Sequence, residues 1–559
     1  MSGKPETQFM EITFGKLLDG VAEKYPDREA VKYIDRPYRR TWKEFKEECD
    51  RVAKGFLRMG IRKGDHVAIW ATNVPEWLIT MFATAKIGAV LVTVNTNYKV
   101  FELRYLLKQS DTKCLVMTGG FKDVDYPQTV YKVFPDLPNF APGTYYNEEF
   151  PYLQSIVYIG EKTPAGMFHF DDLEGMGGCI SDKQLEIVGD SLRHTDVINM
   201  QYTSGTTGFP KGVMLTHYNI INNGLSIGDR MLFTHEDKLC IPVPFFHCFG
   251  MVLAITAAVT HSTSMVPLEY YNPVKFMQAC QDEECTAVHG VPTMFIAVFE
   301  HPDFEKYKFP KLRTGIMAGS PCPAKVMQLV VDKMGMKDIT IVFGQTESSP
   351  GCTQSWADDP VAVKVNTVGS PLPGVECKIV DPETGEELGD GVQGEFCARG
   401  YNVMKGYYKM EEATALAIDS DGWLHTGDLS VRDPDGNYRI TGRIKDMIIR
   451  GGENIYPKEL EELLYTHPKV KDVQVIGVPS ETYGEEVMAC LVLRDFVTEC
   501  TPDEIKEFVM QNMARHKVPS YVEFMEEFPM TASGKIQKFK MREWATQKYG
   551  LEAPKKRAQ

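Results

Sequence analysis

The chain has 559 residues, of which 43% are hydrophobic and 25% are charged, and its formal net charge at pH 7 is −15. This length predicts several compact units, at roughly 150 residues per domain, and the composition excludes collagen-like, coiled-coil and disordered classes. The acidic excess would repel a polyanion, so we expect no nucleic-acid partner.

The cysteines and the apolar stretches indicate where such a chain folds. Thirteen cysteines lie at irregular spacings without a C-x-x-C pair, which is typical of reduced, mostly buried thiols and favours a cytoplasmic protein. The first residues, MSGKPETQFMEITF, lack the apolar segment of an export signal. The most apolar stretch, Trp77 to Val94, is interrupted by Lys86 and by threonines. It predicts a buried helix followed by a strand, with no transmembrane segment.

In chain order, the first strong signal is a helix between Thr41 and Gly60. Thr41 and Glu44 have the spacing of a capping box, and apolar residues follow on one helical face. A strand, HVAIWAT, comes next, and the strand-then-helix alternation recurs in CTAVHGVPTMFIAVFE and in LRTGIMAGSPCPAKVMQLVVDKMGMKDITIVFG. This alternation predicts an α/β fold of parallel sheets covered by helices.

From about Val375 the pattern changes to antiparallel hairpins. The stretches VECKIVDPETGEELG and LSVRDPDGNYRITGR place Pro- and Gly-containing turns between apolar runs. We place a domain boundary soon after the second hairpin, because the chain there returns to helical and strand patterns.

The last part of the chain predicts a small α+β domain. Pro457 opens a helix over Lys458 to Tyr465, two strands follow, and Thr501 has the position of an N-cap for another helix. We therefore predict three parts, namely an N-terminal domain over residues 1–443, a hinge at 444–446 and a mobile C-terminal domain over 447–559.

The stretch YTSGTTGFPKG, residues 202–212, combines four serine or threonine hydroxyls, three glycines and one lysine. Glycines let successive backbone N–H groups face one point, and the hydroxyls and the lysine add donors and charge, as a polyphosphate requires. The stretch does not match the Walker A pattern, because Gly212 stands where a magnesium-binding hydroxyl belongs. A P-loop NTPase is thus disfavoured, while a flexible surface loop stays open as an alternative.

Three later stretches carry further polar candidates. VFGQTESSP offers Thr346 and Glu347, a hydroxyl and a carboxylate suited to phosphate and Mg²⁺. WLHTGDLSVRDPDGNYRITGRIKD places Asp428 just before one predicted strand and Arg443 just after its hairpin partner, so their side chains could meet. MTASGKIQK presents Lys535 on a glycine-containing loop. Each has a structural alternative, namely a helix-start carboxylate, a turn residue and a solvated lysine, but their joint occurrence in this order favours function.

Together with PFFHCFGM, AGSPCP and IIRGGENIYPKELE, these stretches resemble the adenylate-forming superfamily and, within it, the AMP-forming acyl-CoA synthetases. The resemblance extends from about residue 200 to 540. It implies an α/β fold with a large N-terminal domain of βαβ-type sheets plus a β-barrel-like subdomain, and a small mobile α+β C-terminal domain. It also implies two half-reactions, in which a carboxylate and ATP give an acyl-adenylate and pyrophosphate, and coenzyme A then releases AMP.

The resemblance also implies roles for individual residues. Lys535 would bridge the carboxylate and the α-phosphate, Glu347 would hold Mg²⁺ and Lys445 would lie at the hinge. The Lys535 ammonium and Mg²⁺ are cations that would stabilise a transition state in which negative charge accumulates. His247 would gate the acyl pocket, although a core histidine is nearly as consistent with its setting. The catalytic set is thus Lys535, Thr346, Glu347, Lys445 and His247.

The implied binding residues fall into three groups. Those for ATP or AMP are Thr203, Ser204, Gly205, Thr206, Thr207, Lys211, Gly319, Ser320, Pro321, Phe343, Gly344, Gln345, Thr346, Asp428, Ile440, Arg443 and Lys535. Those for coenzyme A are Arg450, Gly451, Gly452 and Glu453. Those for the acyl group are His247, Val291, Gly319, Gly344 and Pro350. Phe343 departs from the tyrosine common in the family, which preserves stacking on adenine but removes a hydroxyl.

The predicted function is an AMP-forming acid–CoA ligase that uses ATP, Mg²⁺ and coenzyme A, as a monomer or homodimer. The pocket stretches are apolar or small and carry no basic residue for a second carboxylate, so we expect a monocarboxylic acid that is medium-chain fatty, alicyclic or aromatic. The alternatives are an adenylating enzyme that loads a carrier protein, a luciferase-like oxidase and a non-enzymatic ATP-binding scaffold. The RGGEN stretch, and the expectation that no carrier-like domain follows residue 559, favour the CoA ligase. Retention of Lys535, Glu347 and Asp428 disfavours the scaffold.

Overall fold

The computed structural model describes residues 7–203, 210–319, 322, 324–450, 453–495, 497, 499–513, 515–531 and 535–551. Over these residues the α-helices are α1 (Phe14–Lys24), α2 (Trp42–Arg58), α3 (Pro75–Lys86), α4 (Val100–Gln109), α5 (Tyr126–Val133), α6 (Asp172–Met176), α7 (Asp182–Asp190), α8 (His217–Arg230), α9 (Ala257–Thr260), α10 (Pro273–Asp282), α11 (Pro292–Phe299), α12 (Ala324–Met334), α13 (Val361–Asn366), α14 (Glu411–Ala417), α15 (Pro457–Tyr465), α16 (Pro502–Asn512) and α17 (Lys538–Tyr549). A π-helix, Phe249–Thr256, directly precedes α9.

The strands over the same residues are β1 (Glu29–Lys32), β2 (Arg39–Thr41), β3 (His66–Trp70), β4 (Val90–Thr93), β5 (Thr112–Met117), β6 (Gly120–Phe121), β7 (Val124–Asp125), β8 (Ser155–Tyr158), β9 (Phe168–His169), β10 (Val197–Thr203), β11 (Lys211–Thr216), β12 (Lys238–Ile241), β13 (Ser264–Pro267), β14 (Ala287–Gly290), β15 (Thr314–Met317), β16 (Asp338–Gly344), β17 (Gly351–Gln354), β18 (Ser370–Pro371), β19 (Val375–Val380), β20 (Gln393–Gly400), β21 (Gly406–Tyr407), β22 (Leu424–Arg432), β23 (Tyr438–Arg443), β24 (Ile448–Arg450), β25 (Glu453–Ile455), β26 (Val470–Ser480), β27 (Gly484–Leu493) and β28 (Tyr521–Phe524).

Two large sheets with parallel centres form most of the fold. One has the order β18-β17-β16-β15-β14-β12-β13-β1-β2, and the other has the order β21-β11-β10-β4-β3-β5-β8-β9. The neighbours β12, β13, β14, β15 and β16 pair in parallel, whereas β17 and β11 add antiparallel edges. The predicted α/β alternation is therefore confirmed, because each parallel step needs a crossover, which a helix supplies.

Helix α2 shows how local sequence starts an element. Thr41 accepts the amide of Glu44 and the Glu44 carboxylate returns to the Thr41 amide, so the predicted capping box is present. The apolar face of α2, including Phe45 and Phe56, is fully buried with Phe14 and Trp77 in the largest hydrophobic core. The stretch from Trp77 is the predicted buried helix followed by a strand.

Other sequence expectations can be checked against the same residues. Among the helices of the described part of the chain, none combines the length and apolar character needed to cross a bilayer. All thirteen cysteines are free thiols, and most are buried. The predicted burial of most cysteines is therefore confirmed.

A four-stranded antiparallel sheet, β19-β20-β22-β23, corresponds to the predicted hairpin region. Asp428 lies inside β22 and Arg443 is the last residue of β23, where the two are direct cross-strand partners. The prediction that they flank their strands is wrong, because pairing continues through both positions. Their predicted meeting is confirmed and follows from the register itself.

The C-terminal sheet has the order β25-β24-β27-β26, with β28 added in parallel to β27. A single 3₁₀ turn, Ile444–Asp446, joins β23 to β24. We call residues up to β23 the N-terminal lobe and those from β24 onward the C-terminal lobe. Between the lobes, the Lys458 ammonium donates to the Ile440 carbonyl, and Lys471 pairs with Glu300 at 2.7 Å.

Candidate active site

The predicted phosphate loop joins two paired strands. Strand β10 ends at Thr203 and β11 begins at Lys211, and these two residues are cross-strand partners. Ser204, Gly205, Thr206 and Thr207 lie outside the described residues. The Lys211 ammonium lies 4.7 Å from the centre of the Tyr407 ring, a cation–π distance. The described end of the loop thus presents one hydroxyl and one oriented cation.

Glu347 lies close to that loop although it follows a strand of the other sheet. It occupies a 3₁₀ turn, Thr346–Ser348, just after β16 ends. Its Oε1 accepts the Tyr407 hydroxyl at 2.8 Å and the Thr203 hydroxyl at 3.4 Å. Within the described part of the chain no lysine or arginine forms an ion pair with Glu347. A carboxylate whose partners are neutral hydroxyls is a suitable ligand for a hard cation, so these residues fit Mg²⁺.

Thr346 connects this turn to the His247 segment. The Thr346 hydroxyl lies 3.7 Å from the Cys248 sulfur, and Thr346 itself is buried. His247 Nδ1 accepts the Phe249 amide at 3.1 Å, which assigns the imidazole proton to Nε2. Burial first, and then the positive charge of Lys535, lower the pKa of His247 to about 3. The imidazole is therefore neutral near pH 7.

Two glycines allow the predicted acyl-pocket segments to approach each other. Gly319 has a φ of +89°, and a Cβ there would stand 3.1 Å from Val291 Cγ1. At Gly344 a Cβ would stand 1.7 Å from the Pro350 carbonyl oxygen, so no other residue fits without a backbone shift. Ser320 and Pro321 lie outside the described residues. The pocket residues Val291, Gly319, Gly344 and Pro350 thus form two close pairs.

Two further predicted nucleotide residues flank Gly344. Phe343 packs edge-on against Phe396 with ring centres 5.1 Å apart. Gln345 follows Gly344, and the backbone amide of Gln345 donates to the Ser348 hydroxyl at 3.0 Å. These contacts fix the backbone between the strand and the Thr346 turn.

The buried Asp428 and the exposed Arg443 form an ion pair at the end of the β22–β23 ribbon. Arg443 Nε donates to Asp428 Oδ1 at 2.7 Å, and Asp428 is only 3% exposed. Burial raises the pKa of the Asp428 carboxyl, while the charges of Arg443, Lys535 and Lys445 oppose that rise. Ile440 lies on the same ribbon and contributes its carbonyl to the contact between the lobes.

Glu395 supports Asp428 from the neighbouring strand and was not predicted from the sequence. Its Oε1 accepts the Gly427 amide at 2.9 Å, and its Oε2 lies 2.8 Å from His425 Nδ1. Pairing between β20 and β22 is irregular here, so the side chain holds a bulged strand in place. Tyr407 was missed as well. A pair of adjacent tyrosines was the available signal, but the sequence does not say which of them faces inward.

Lys535 approaches the site from the C-terminal lobe. Its amide donates to the Thr531 hydroxyl at 3.0 Å, and an isolated bridge joins Met530 and Ile536 on either side. The Lys535 charge acts on the pKa values of both Asp428 and His247. The fold therefore brings Lys535 toward the same space as the N-terminal residues.

The predicted hinge and coenzyme A residues lie at the start of the C-terminal lobe. Lys445 occupies the 3₁₀ turn between the lobes, where its neighbour Asp446 pairs with Arg542 at 3.0 Å. Arg450 Nε pairs with Glu486 at 2.7 Å. Glu453 is exposed on β25, directly opposite Arg450. Gly451 and Gly452 lie outside the described residues.

Comparison with known families identifies the family of the chain. The model of the AMP-binding enzyme family matches residues 18–408, and that of the AMP-binding enzyme C-terminal domain matches residues 459–535. The chain belongs to the AMP-binding enzyme family. Predicted membership of the adenylate-forming superfamily is thereby confirmed.

Individual members of the AMP-binding family match almost the whole chain. "Putative acyl-CoA synthetase YngI" of Bacillus subtilis (strain 168) is 54% identical over 544 residues, covering 97% of this chain and 99% of that protein. "Medium-chain acyl-CoA ligase ACSF2, mitochondrial" of Danio rerio is 40% identical over 542 residues, covering 96% and 89%. The crystal structure of ATP-bound MatB from Rhodopseudomonas palustris has a TM-score of 0.82 at 28% identity, covering 97% of this chain and 100% of that chain. The predicted fold class is confirmed.

Proposed function

We propose that this protein is an AMP-forming acyl-CoA synthetase. A carboxylate attacks the α-phosphorus of ATP and expels pyrophosphate, and the thiol of coenzyme A then attacks the acyl-adenylate carbonyl and expels AMP. The single observation that carries the proposal is that Glu347 Oε1 accepts the hydroxyls of Thr203 and Tyr407. This contact brings the carboxylate that the resemblance implies for Mg²⁺ to the end of the stretch that it implies for the phosphates. The names of the relatives in Bacillus subtilis and Danio rerio support the same chemistry.

In the adenylation step the main contribution is cationic stabilisation. Negative charge grows on the α-phosphate as the carboxylate attacks, and Lys535 would bridge these two groups. Thr203 and Lys211 would hold the β- and γ-phosphates together with the loop residues between them, and Thr346 would contact the α-phosphate. Glu347 would hold Mg²⁺, which when bound neutralises phosphate charge.

The nucleoside would be bound by the ribbon and by the strand end. Asp428 would accept both ribose hydroxyls, since a carboxylate has two acceptor oxygens in one plane, and Arg443 would keep it ionised and oriented. Phe343 would stack on adenine beside Gly344 and Gln345. Ser320 and Pro321 are proposed for the same wall.

The acyl group would lie between the His247 segment and the two glycine contacts. Val291, Gly319, Gly344 and Pro350 offer apolar or small surfaces, and His247 is neutral near pH 7. No basic residue in this set would pair with a second carboxylate. We therefore propose a monocarboxylic acid with an apolar body, with medium-chain fatty acids first, in line with the name of the Danio rerio relative.

Thioester formation would follow a rotation about residues 444–446. That rotation would withdraw Lys535 and bring Arg450, Gly451, Gly452 and Glu453 toward the adenylate, with Lys445 at the pivot. Arg450 is bound to Glu486 in the present arrangement, so it would stabilise strand β24. Gly451 and Gly452, which have no side chains, would leave room for the pantetheine chain close to the backbone.

The test is a panel of carboxylic acids scored by pyrophosphate release with ATP and Mg²⁺, with and without coenzyme A. Octanoate, cyclohexanecarboxylate and benzoate represent the medium-chain fatty, alicyclic and aromatic acids, and malonate represents acids with a second carboxylate. We expect pyrophosphate from an apolar monocarboxylate, with AMP and thioester when coenzyme A is added. Failure to release pyrophosphate with any acid would overturn the activity, and a preference for malonate would overturn the acyl assignment.

A further inference from the structure

Tyr407 lies where the phosphate loop and the Glu347 turn come together. It is in β21, a two-residue strand that pairs antiparallel with β11, so Tyr407 faces Val213 just beyond Lys211. The next amide along the chain, that of Tyr408, donates to the Gly212 carbonyl at 2.8 Å. Tyr407 itself is 7% exposed. The ring is therefore fixed on the backbone that leaves the phosphate loop.

The hydroxyl of this tyrosine holds the predicted metal carboxylate. It donates to Glu347 Oε1 at 2.8 Å, and the Met404 amide donates to the Glu347 carbonyl at 2.9 Å. The Thr203 hydroxyl also donates to Oε1. Among the described residues no donor bonds to Oε2, so the second oxygen faces no competitor for a cation.

The face of the same ring is occupied by the loop lysine. The Lys211 ammonium lies 4.7 Å from the ring centre, within the range at which a ring quadrupole attracts a cation. One side chain thus contacts two groups of opposite charge that polyphosphate binding would use.

We propose that Tyr407 is a positioning residue for MgATP, which orients the Glu347 carboxylate through its hydroxyl and the Lys211 ammonium through its ring face. The inference rests on the proposed function, because it concerns the adenylation half-reaction. Its physical basis is preorganisation, since a carboxylate already fixed by Oε1 loses less freedom when Oε2 binds the cation.

The test compares Y407F with Y408F. Tyr408 is a matched control, because its hydroxyl also donates to a carboxylate, Asp111 Oδ2 at 2.9 Å, but that carboxylate is not among the predicted site residues. We expect Y407F to raise the Mg²⁺ concentration for half-maximal pyrophosphate release about tenfold, as loss of a hydrogen bond to a charged group predicts. Thioester formation from supplied acyl-adenylate should be unchanged, and Y408F should match wild type in both assays.

A binding readout separates this inference from the proposed function. Calorimetry with Mn²⁺ and ATP should show weaker Mn²⁺ binding to Y407F than to Y408F, whether or not any tested acid is turned over. In an E347Q background Y407F should add no further loss, because the group that it orients has lost its charge. Y407L, which also removes the ring face, should additionally raise the ATP concentration for half-saturation.

Three results would overturn the assignment. These are a wild-type Mg²⁺ and Mn²⁺ dependence in Y407F, equal losses in both half-reactions, and an undiminished effect in the E347Q background. If the wild-type protein releases no pyrophosphate and Y407F still binds Mn²⁺ more weakly than Y408F, the proposed function is refuted and this inference stands.

Discussion

The Asp428 and Lys535 regions of the candidate site are built in opposite ways. Asp428 is buried in a strand, paired with Arg443 by register and supported by Glu395 from the next strand. Lys535 is half-buried in the other lobe, and its backbone amide donates to the Thr531 hydroxyl. The comparison teaches that the sheet preorganises Asp428, which we propose for the ribose, whereas Lys535, which we propose as the catalytic cation, belongs to the other lobe.

The largest expected effect comes from removing the Lys535 ammonium. K535A should slow adenylation by about 100- to 1,000-fold, the usual result of deleting one transition-state donor, and should leave thioester formation from supplied adenylate near wild type. Pyrophosphate release and adenylate consumption measure the two steps. K540A is the matched control, since Lys540 is exposed on α17, and equal losses in both half-reactions would contradict the assignment of Lys535 to the adenylation step.

Substitution of Asp428 should weaken the binding of ATP rather than slow only one half-reaction. D428N keeps the size of the side chain but loses its charge, so the KM for ATP should rise about 10- to 100-fold, as expected for hydrogen bonds to a charged acceptor. Steady-state kinetics at saturating acid measure this. D433N is the control, because Asp433 pairs with Arg439 at the turn of the same ribbon. A KM for ATP that stays at the wild-type value would remove Asp428 from the ribose assignment.

The ion pair between Asp428 and Arg443 predicts a shift in pH dependence. Burial raises the pKa of Asp428 and Arg443 opposes that rise, so R443Q should raise this pKa further. Because the ionised form accepts the ribose hydroxyls, affinity for ATP is lost as pH falls through the pKa. The acidic limb of kcat/KM for ATP should therefore move to higher pH in R443Q. R439Q should leave the limb unmoved, and a shift to lower pH would have the wrong sign.

The smallest effect is expected at the contact between the lobes. Lys471 and Glu300 form an ion pair whose side chains are 25% and 37% exposed, and such pairs contribute about 1 kcal/mol or less. A double-mutant cycle with K471A and E300A should give a coupling of that size in adenylation, which disappears at high salt. The exposed pair Arg399–Glu376, within one lobe, is the control. A tenfold loss of adenylation rate in K471A alone would mean that this ion pair holds the two lobes together more strongly than a partly exposed pair is expected to do.

Local signals in the sequence determined much of the fold. The Thr41 capping box, the Pro457 helix start and the strand-helix alternation depend on neighbours within a few residues, so the sequence contains the whole cause of each. The candidate site residues from Thr203 to Lys535 were likewise found through ordered motifs, and their roles remain proposals.

Apart from Asp428 and Arg443, only the tertiary structure decided which of these groups meet. Thr203 ends a strand of one sheet, Glu347 follows a strand of the other, and Tyr407 joins them from a third segment. Glu395 supports Asp428 through a bulge whose register the sequence did not reveal. The physical reason is that strand pairing and lobe packing are set by long-range contacts, so the sequence specified the side chains while the fold chose their partners.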